Sequence, residues 1–148
     1  MPELKGGIGM PIAGIDPFKL KSNFYDMRGD RPHEALDIMA PRGTPVLAVD
    51  HGKVAKLFTS KRGGLTVYQF DDAQRICYYY AHLDHYADGL KDGDVLQRGQ
   101  VLGYVGSTGN ASPNAPHLHF AVSVLGPEHQ WWKSTPVDPL PLLQAGRR

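Results

Sequence analysis

From residue 44 onward the chain breaks into short apolar runs bordered by Gly, Asp or Pro, and this punctuation is what most limits its fold. Pro45–Val49 follows Gly43-Thr44, Lys53–Phe58 follows His51-Gly52, and Leu65–Phe70 follows Gly63-Gly64. Arg75–His82 follows Asp71-Asp72, Val101–Val105 follows Gly99, and His117–Leu125 follows Pro116. Each run has strand length and carries β-branched or aromatic residues. Turn signals at such close intervals predict an all-β fold with an antiparallel sandwich or barrel-like core. The only helical signal is one turn within Leu83–Leu90, which Gly89 would end. Residues 1–30, rich in Gly and Pro, read as an irregular arm packed on a domain spanning 31–148, with at most one short strand. Trp131-Trp132 and the Pro-rich stretch 136–141 read as an extended segment covering a sheet edge.

Composition narrows the class of function. At 148 residues and 41% hydrophobic content, the chain can bury a core of its own. A net charge of +1, with no basic stripe, predicts no nucleic-acid partner. No apolar stretch has the length of a membrane span, so no membrane insertion is expected. Met1-Pro2-Glu3-Leu4-Lys5 lacks the basic and apolar regions of an export signal. A lone Cys77 excludes an internal disulfide.

Two short motifs carry the chemistry. His117-Leu118-His119 sits on a predicted strand, where residues two apart share a face and their Cα atoms lie about 6.5 Å apart. His33-Glu34-Ala35-Leu36-Asp37 is the second. In an extended strand His33 and Asp37 would be about 13 Å apart, too far for one metal ion, so the segment must bend. Two histidines with one aspartate make a three-ligand set with an open position, the composition of a catalytic zinc centre. Each motif alone is more often a pair of ordinary side chains than a metal site; their combination with the surrounding blocks argues for metal.

Those blocks are His33–Ile38, Ala40-Pro41-Arg42-Gly43-Thr44-Pro45-Val46, Tyr80-Ala81-His82-Leu83, Gly106-Ser107-Thr108-Gly109-Asn110 and Pro116–Phe120. In this order they resemble the LytM/lysostaphin-type zinc endopeptidases of peptidase family M23, over about Ile12 to Leu140. The resemblance implies a twisted antiparallel core of the duplicated hybrid motif type, with a groove across it. Asp92–Gly103 resembles the hammerhead turn of that fold. It implies that His33, Asp37 and His119 bind one zinc ion, and that His82 and His117 are the catalytic histidines. It implies hydrolysis of peptide cross-links of bacterial peptidoglycan, and hence a periplasmic or extracellular, cell-envelope location. Many members carry Gly where Ala35 stands. Arg28 sits where many members have an Arg and is a candidate for substrate binding. Tyr25 matches poorly the active-site tyrosine of some members.

Blander roles suit the other polar residues. Strand parity puts Ile76, Tyr78, Tyr80 and His82 on one face and Cys77 on the other, which reads Cys77 as a buried thiol. Glu34 lacks the helical His-Glu-x-x-His setting of a catalytic base and reads as a loop residue. His51, His85 and His129 read as turn or surface residues. Asn23, the only Asn of the arm, is not marked as a zinc ligand by its surroundings. Rival functions fit less well. A non-catalytic module of the same fold, binding the wall or activating another hydrolase, predicts gaps in the ligand set. A mononuclear iron oxygenase favours one residue, not three, between His and the carboxylate. A cupin needs a Glu soon after His-x-His, and a sugar-transport phosphocarrier has no need of Asp37.

Overall fold

A computed structural model of the chain describes residues 6–28 and 31–147. β1 (Met27–Arg28) and β2 (Arg31–Pro32) form a small ribbon. The remaining strands are β3 (Leu36–Met39), β4 (Pro45–Leu47), β5 (Gly52–Ser60), β6 (Gly64–Asp71), β7 (Ile76–Tyr86), β8 (Val95–Leu96), β9 (Val101–Val105), β10 (His117–Leu125) and β11 (Ser134–Val137). They make one nine-stranded sheet in the order β11-β10-β7-β6-β5-β8, with β3 on β10, β4 on β9 and β9 on β7. Every pairing is antiparallel. The expected all-β architecture is therefore present, completed among the described residues by one short α-helix, α1 (Leu140–Arg147), and a 3-10 turn at Pro17–Lys19.

Period-two alternation sorts the two faces. On β10, Leu118, Phe120 and Val122 point into the core, as do Ile76, Tyr78 and Tyr80 on β7 and Leu36 and Ile38 on β3. Their neighbours His119, Ala121, Ala81, Tyr79 and Asp37 are left on the opposite, grooved face. The arm seals the far side of the core. Ile8 and Ile12 are buried, Ile8 N–H donates to the Leu142 carbonyl at 3.1 Å, and Gly9 N–H donates to the Val49 carbonyl at 2.9 Å.

Two regions differ from the reading above. Leu83–Leu90 holds no helix, because β7 runs on through Tyr86. The helix instead follows the Pro-rich stretch. Pro141 occupies its first turn, where a missing N–H costs nothing, and Asp138 Oδ1 accepts the Leu140 N–H at 3.1 Å. Leu140 and Leu143 bury the inner side of this helix. β11 does cover a sheet edge as expected, pairing with β10 over Val122–Leu125.

Polar groups inside the core are matched. Tyr80 OH donates to Gln69 Oε1 at 2.6 Å and accepts the Val49 N–H at 3.1 Å. Gln69 Nε2 donates to the Asp50 carbonyl at 2.8 Å, and Tyr78 OH donates to Asp50 Oδ2 at 2.8 Å. Removing one member strands the others away from water. Tyr80→Phe is expected to destabilise the fold by about 1–3 kcal/mol, read as a lower urea midpoint with an unchanged slope.

Candidate metal centre

The site is built where β3 meets β10. Their antiparallel register sets Asp37 directly opposite His119, and on the other side of β10 His119 faces Ala81 of β7. Directly opposite side chains on one face lie close enough to touch, and the small Ala81 leaves room above the ring. His33 reaches the same point from the loop before β3. Glu34 adopts a left-handed φ of 58°, which supplies the bend that the spacing demanded. His33 Nε2 lies 3.2 Å from Asp37 Oδ1, and His119 Nδ1 lies 3.3 Å from the same oxygen. One donor atom from each of the three residues falls within 4.8 Å of the others.

Second partners orient these ligands. His33 Nδ1 donates to the Asn23 carbonyl at 3.0 Å, which leaves Nε2 with its lone pair toward Asp37. Asn23 also brackets Asp37: its Nδ2 lies 3.4 Å from Oδ2, and the Asp37 N–H lies 3.4 Å from its Oδ1. Asn23 thus belongs to the site as a partner of two ligand-type side chains, a role the sequence reading did not give it. Its position ten residues before His33 carried no signal, because only the folding of the arm brings it there. Burial pushes the Asp37 carboxyl up. The hydrogen bond from His119 and the nearby imidazoles of His33, His119 and His117 outweigh it and hold the group well below the usual carboxylate range.

The other two expected histidines stand beside this cluster. His117 Nε2 is 3.7 Å from Asp37 Oδ1, and its Nδ1 donates to the Ala115 carbonyl at 3.0 Å. The His82 ring centroid lies 5.1 Å from that of His117 and 5.7 Å from that of His119. Strand parity had placed His82 on the core face with Tyr80 and opposite Cys77. The residue instead takes a φ of 62° at a bulge in β7, and this turns its ring onto the grooved face. Such a backbone costs about 1–3 kcal/mol and must be held. His82 N–H donates to the Gly63 carbonyl at 2.8 Å, and Nδ1 donates to the Thr108 carbonyl at 2.7 Å. Thr108 Oγ1 in turn donates to the Leu83 carbonyl at 2.7 Å and accepts the Leu65 N–H at 3.1 Å. The Gly106–Asn110 block is therefore the seat of His82. Gly109, with φ 76°, lies so close to the β5–β6 turn that a Cβ would come within 2.5 Å of the Arg62 carbonyl. Burial lowers the His82 pKa, partly offset by the bond to Thr108, so the ring is neutral near pH 7.

His33, Asp37, His117 and His119 line a cleft of about 450 Å³ that also exposes Arg62, Tyr79 and Asn110, while His82 is buried beside it, in ring contact with His117 and His119. Tyr79 is a cleft residue that the motifs did not mark; its alternation with Tyr78 and Tyr80 was the available signal. Cys77 is buried, and burial pushes its thiol up to about 12. His51, His85 and His129 are exposed and stand outside the cleft: His51 accepts the Arg98 N–H and His85 stacks on Tyr104. Tyr25 is 77% exposed and leans on Phe24. The side chain of Arg28 lies outside the described residues, although its backbone closes β1.

Two imidazoles and a carboxylate around one point are the donor set of a zinc ion that keeps an open position, and they fit it here. His33, Asp37 and His119 would hold the ion. Zinc binding is expected to stabilise the folded chain, by about 2.7 kcal/mol at a free concentration one hundred times Kd. Thermal unfolding of chelator-treated protein with and without added zinc measures it, and His119→Ala should show no zinc response.

Comparison with known proteins accords with this geometry. Residues 31–139 match peptidase family M23. The chain is 33% identical to the L-Ala–D-Glu endopeptidase of Bacillus subtilis, over 97% of this chain and 45% of that protein. It is 35% identical to lysostaphin of Staphylococcus simulans, over 76% of this chain and 22% of that protein. The chain thus spans less than half the length of these curated relatives. Among solved structures, the catalytic domain of the antimicrobial peptidase lysostaphin from Staphylococcus simulans superposes with a TM-score of 0.67 at 30% identity, covering 93% of this chain and 89% of that one. A zinc-containing peptidase from Vibrio cholerae gives a TM-score of 0.70 at 25% identity, covering 90% and 39%. With the matched region spanning His33, Asp37, His82, His117 and His119, the chain belongs to peptidase family M23.

Proposed function

We propose that the chain is a zinc-dependent endopeptidase that hydrolyses peptide bonds of bacterial peptidoglycan, in its stems or its cross-links. The observation that carries this reading is the complete set of three ligand-type side chains, His33, Asp37 and His119, with His117 and His82 beside them, in a family of peptidases. The substrate follows the relatives, one of which is named for the L-Ala–D-Glu bond and another as a glycyl-glycine endopeptidase from Staphylococcus capitis. Such a polymer lies outside the cytoplasm, which places the working protein in the cell envelope or beyond it. A non-catalytic module would not need all five residues intact.

Zinc, when bound, supplies Lewis acidity toward the scissile carbonyl and makes water a better acid. The histidines manage the protons. A carbonyl oxygen can only accept, so the bonds to Ala115 and Thr108 place the Nδ1 protons of His117 and His82. Each ring therefore turns its Nε2 away from the carbonyl, where it is the atom that can accept a proton. His117, whose Nε2 is nearer to the ligand carboxylate, takes the proton of the attacking water. As the water oxygen bonds to the carbonyl carbon and the C–N bond breaks, the proton passes to the leaving amine. His82, one ring contact away, assists that delivery, and once protonated it can donate to the oxyanion.

Incubation with purified peptidoglycan should release soluble fragments with new amino termini, and chelation should stop it. His117→Ala should keep its zinc yet lose about 10²–10⁴-fold in kcat. Near wild-type turnover in that variant would overturn the base assignment, and zinc-loaded protein with no hydrolysis of any wall preparation would overturn the function.

A further inference from the structure

Next to the metal cleft the grooved face holds a second hollow, of about 270 Å³, which the hydrolytic chemistry does not use. Its walls are aromatic: Tyr68, Tyr79, Trp131 and Trp132. Tyr79 borders both spaces, so the hollow and the cleft are neighbours on the sheet. Ring contacts run without a break from Trp132 to Trp131 at 5.2 Å, to Tyr68 at 4.6 Å and to Tyr79 at 4.8 Å. The last step joins Tyr79 to the ligand-type His119 at 5.8 Å. The floor is β10, whose outward residues after His119 are the small Ala121 and Ser123, leaving the space open.

The position of Trp132 is the telling detail. Its indole is 63% exposed yet held against Trp131, which itself packs on Tyr68 and Phe58. A large apolar ring kept at the surface of a hollow, beside a catalytic cleft, marks a place for a ligand with an apolar face. The loop Gly126–Lys133 carries the tryptophans over the sheet, rather than along its edge as the sequence alone suggested.

We propose that this hollow is a subsite for one N-acetylated hexosamine ring of the glycan strand, an inference that rests on peptidoglycan being the substrate. A pyranose ring offers C–H groups on its faces, which suit the electron-rich faces of Trp and Tyr, and hydroxyl and amide groups at its rim. The hollow answers both. Glu34, Ser123 and Ser134 supply polar atoms among the aromatic walls. A wall stem of small and charged residues has no comparable flat apolar face, so the peptide belongs in the cleft and the sugar in the hollow.

The spacing carries a consequence for specificity. Ala121 and Ser123 stand two and four residues along β10 from His119, about 7 and 13 Å. An extended peptide covers this in roughly two to four residues. A stem held by its sugar in the hollow therefore brings its first bonds over the metal ligands, not its far end.

Two measurements decide the matter. Calorimetric titration of the zinc-loaded chain with a peptide-free β-1,4-linked N-acetylglucosamine tetramer should show binding. Trp132→Ala should weaken it about tenfold or more, and Trp132→Tyr should restore most of it. Absence of binding by the wild type, or equal binding by folded Trp132→Ala, overturns the subsite. In parallel, KM for a sugar-bearing stem peptide should be about tenfold or more below that for the same peptide without its sugar, with Trp132→Ala narrowing the gap; equal KM values for the wild type overturn it. If neither peptide is cut, the stem is not the bond hydrolysed and the proposed function is judged on whole wall preparations, while the tetramer titration still decides the hollow.

Discussion

The register of β3 against β10 underlies everything that happens on the grooved face. It pairs Asp37 with His119 and, in the same stroke, buries Leu36 against Phe120 and Ile38 against Leu118. A slip of one residue would exchange the two faces, sending the carboxylate into the core and the isoleucine into the cleft. The burial of these apolar neighbours is thus what holds the ligands together. Three imidazole nitrogens gather around one carboxylate oxygen because the hydrophobic alternation beneath them leaves no other arrangement.

The histidines are held by backbone carbonyls more than by each other. Asn23, Ala115 and Thr108 each accept from an Nδ1, which settles three tautomers without any help from a bound ion. Such preorganisation has a structural cost. Glu34 and His82 sit in left-handed backbone conformations that side-chain-bearing residues avoid, and both lie at the site. The close approach of the β5–β6 turn to the Gly106–Asn110 loop, through glycines with no Cβ to clash, is what keeps His82 in place.

Legibility followed how local each signal was. Val101–Val105 and His117–Leu125 are strands with the limits their flanking residues suggested, because alternation and turn residues act within a few positions. The helix at Leu140 was hidden by prolines that read as extended chain, although the first turn of a helix tolerates them. His82 was placed on the wrong face by parity, since a single left-handed residue resets the alternation and leaves no trace in composition. Asn23 joins the site only because the arm folds back over β3.

The sequence by itself determined the strand punctuation, the two short ligand motifs and the need for a bend between His33 and Asp37, all consequences of backbone period and side-chain reach. Tertiary structure alone decided which strands meet at the site, which face His82 serves, and that Trp131 and Trp132 wall a hollow beside the metal cleft. These depend on register and loop course between segments far apart in the chain, set by how apolar faces close over one another and not by any residue's neighbours in sequence.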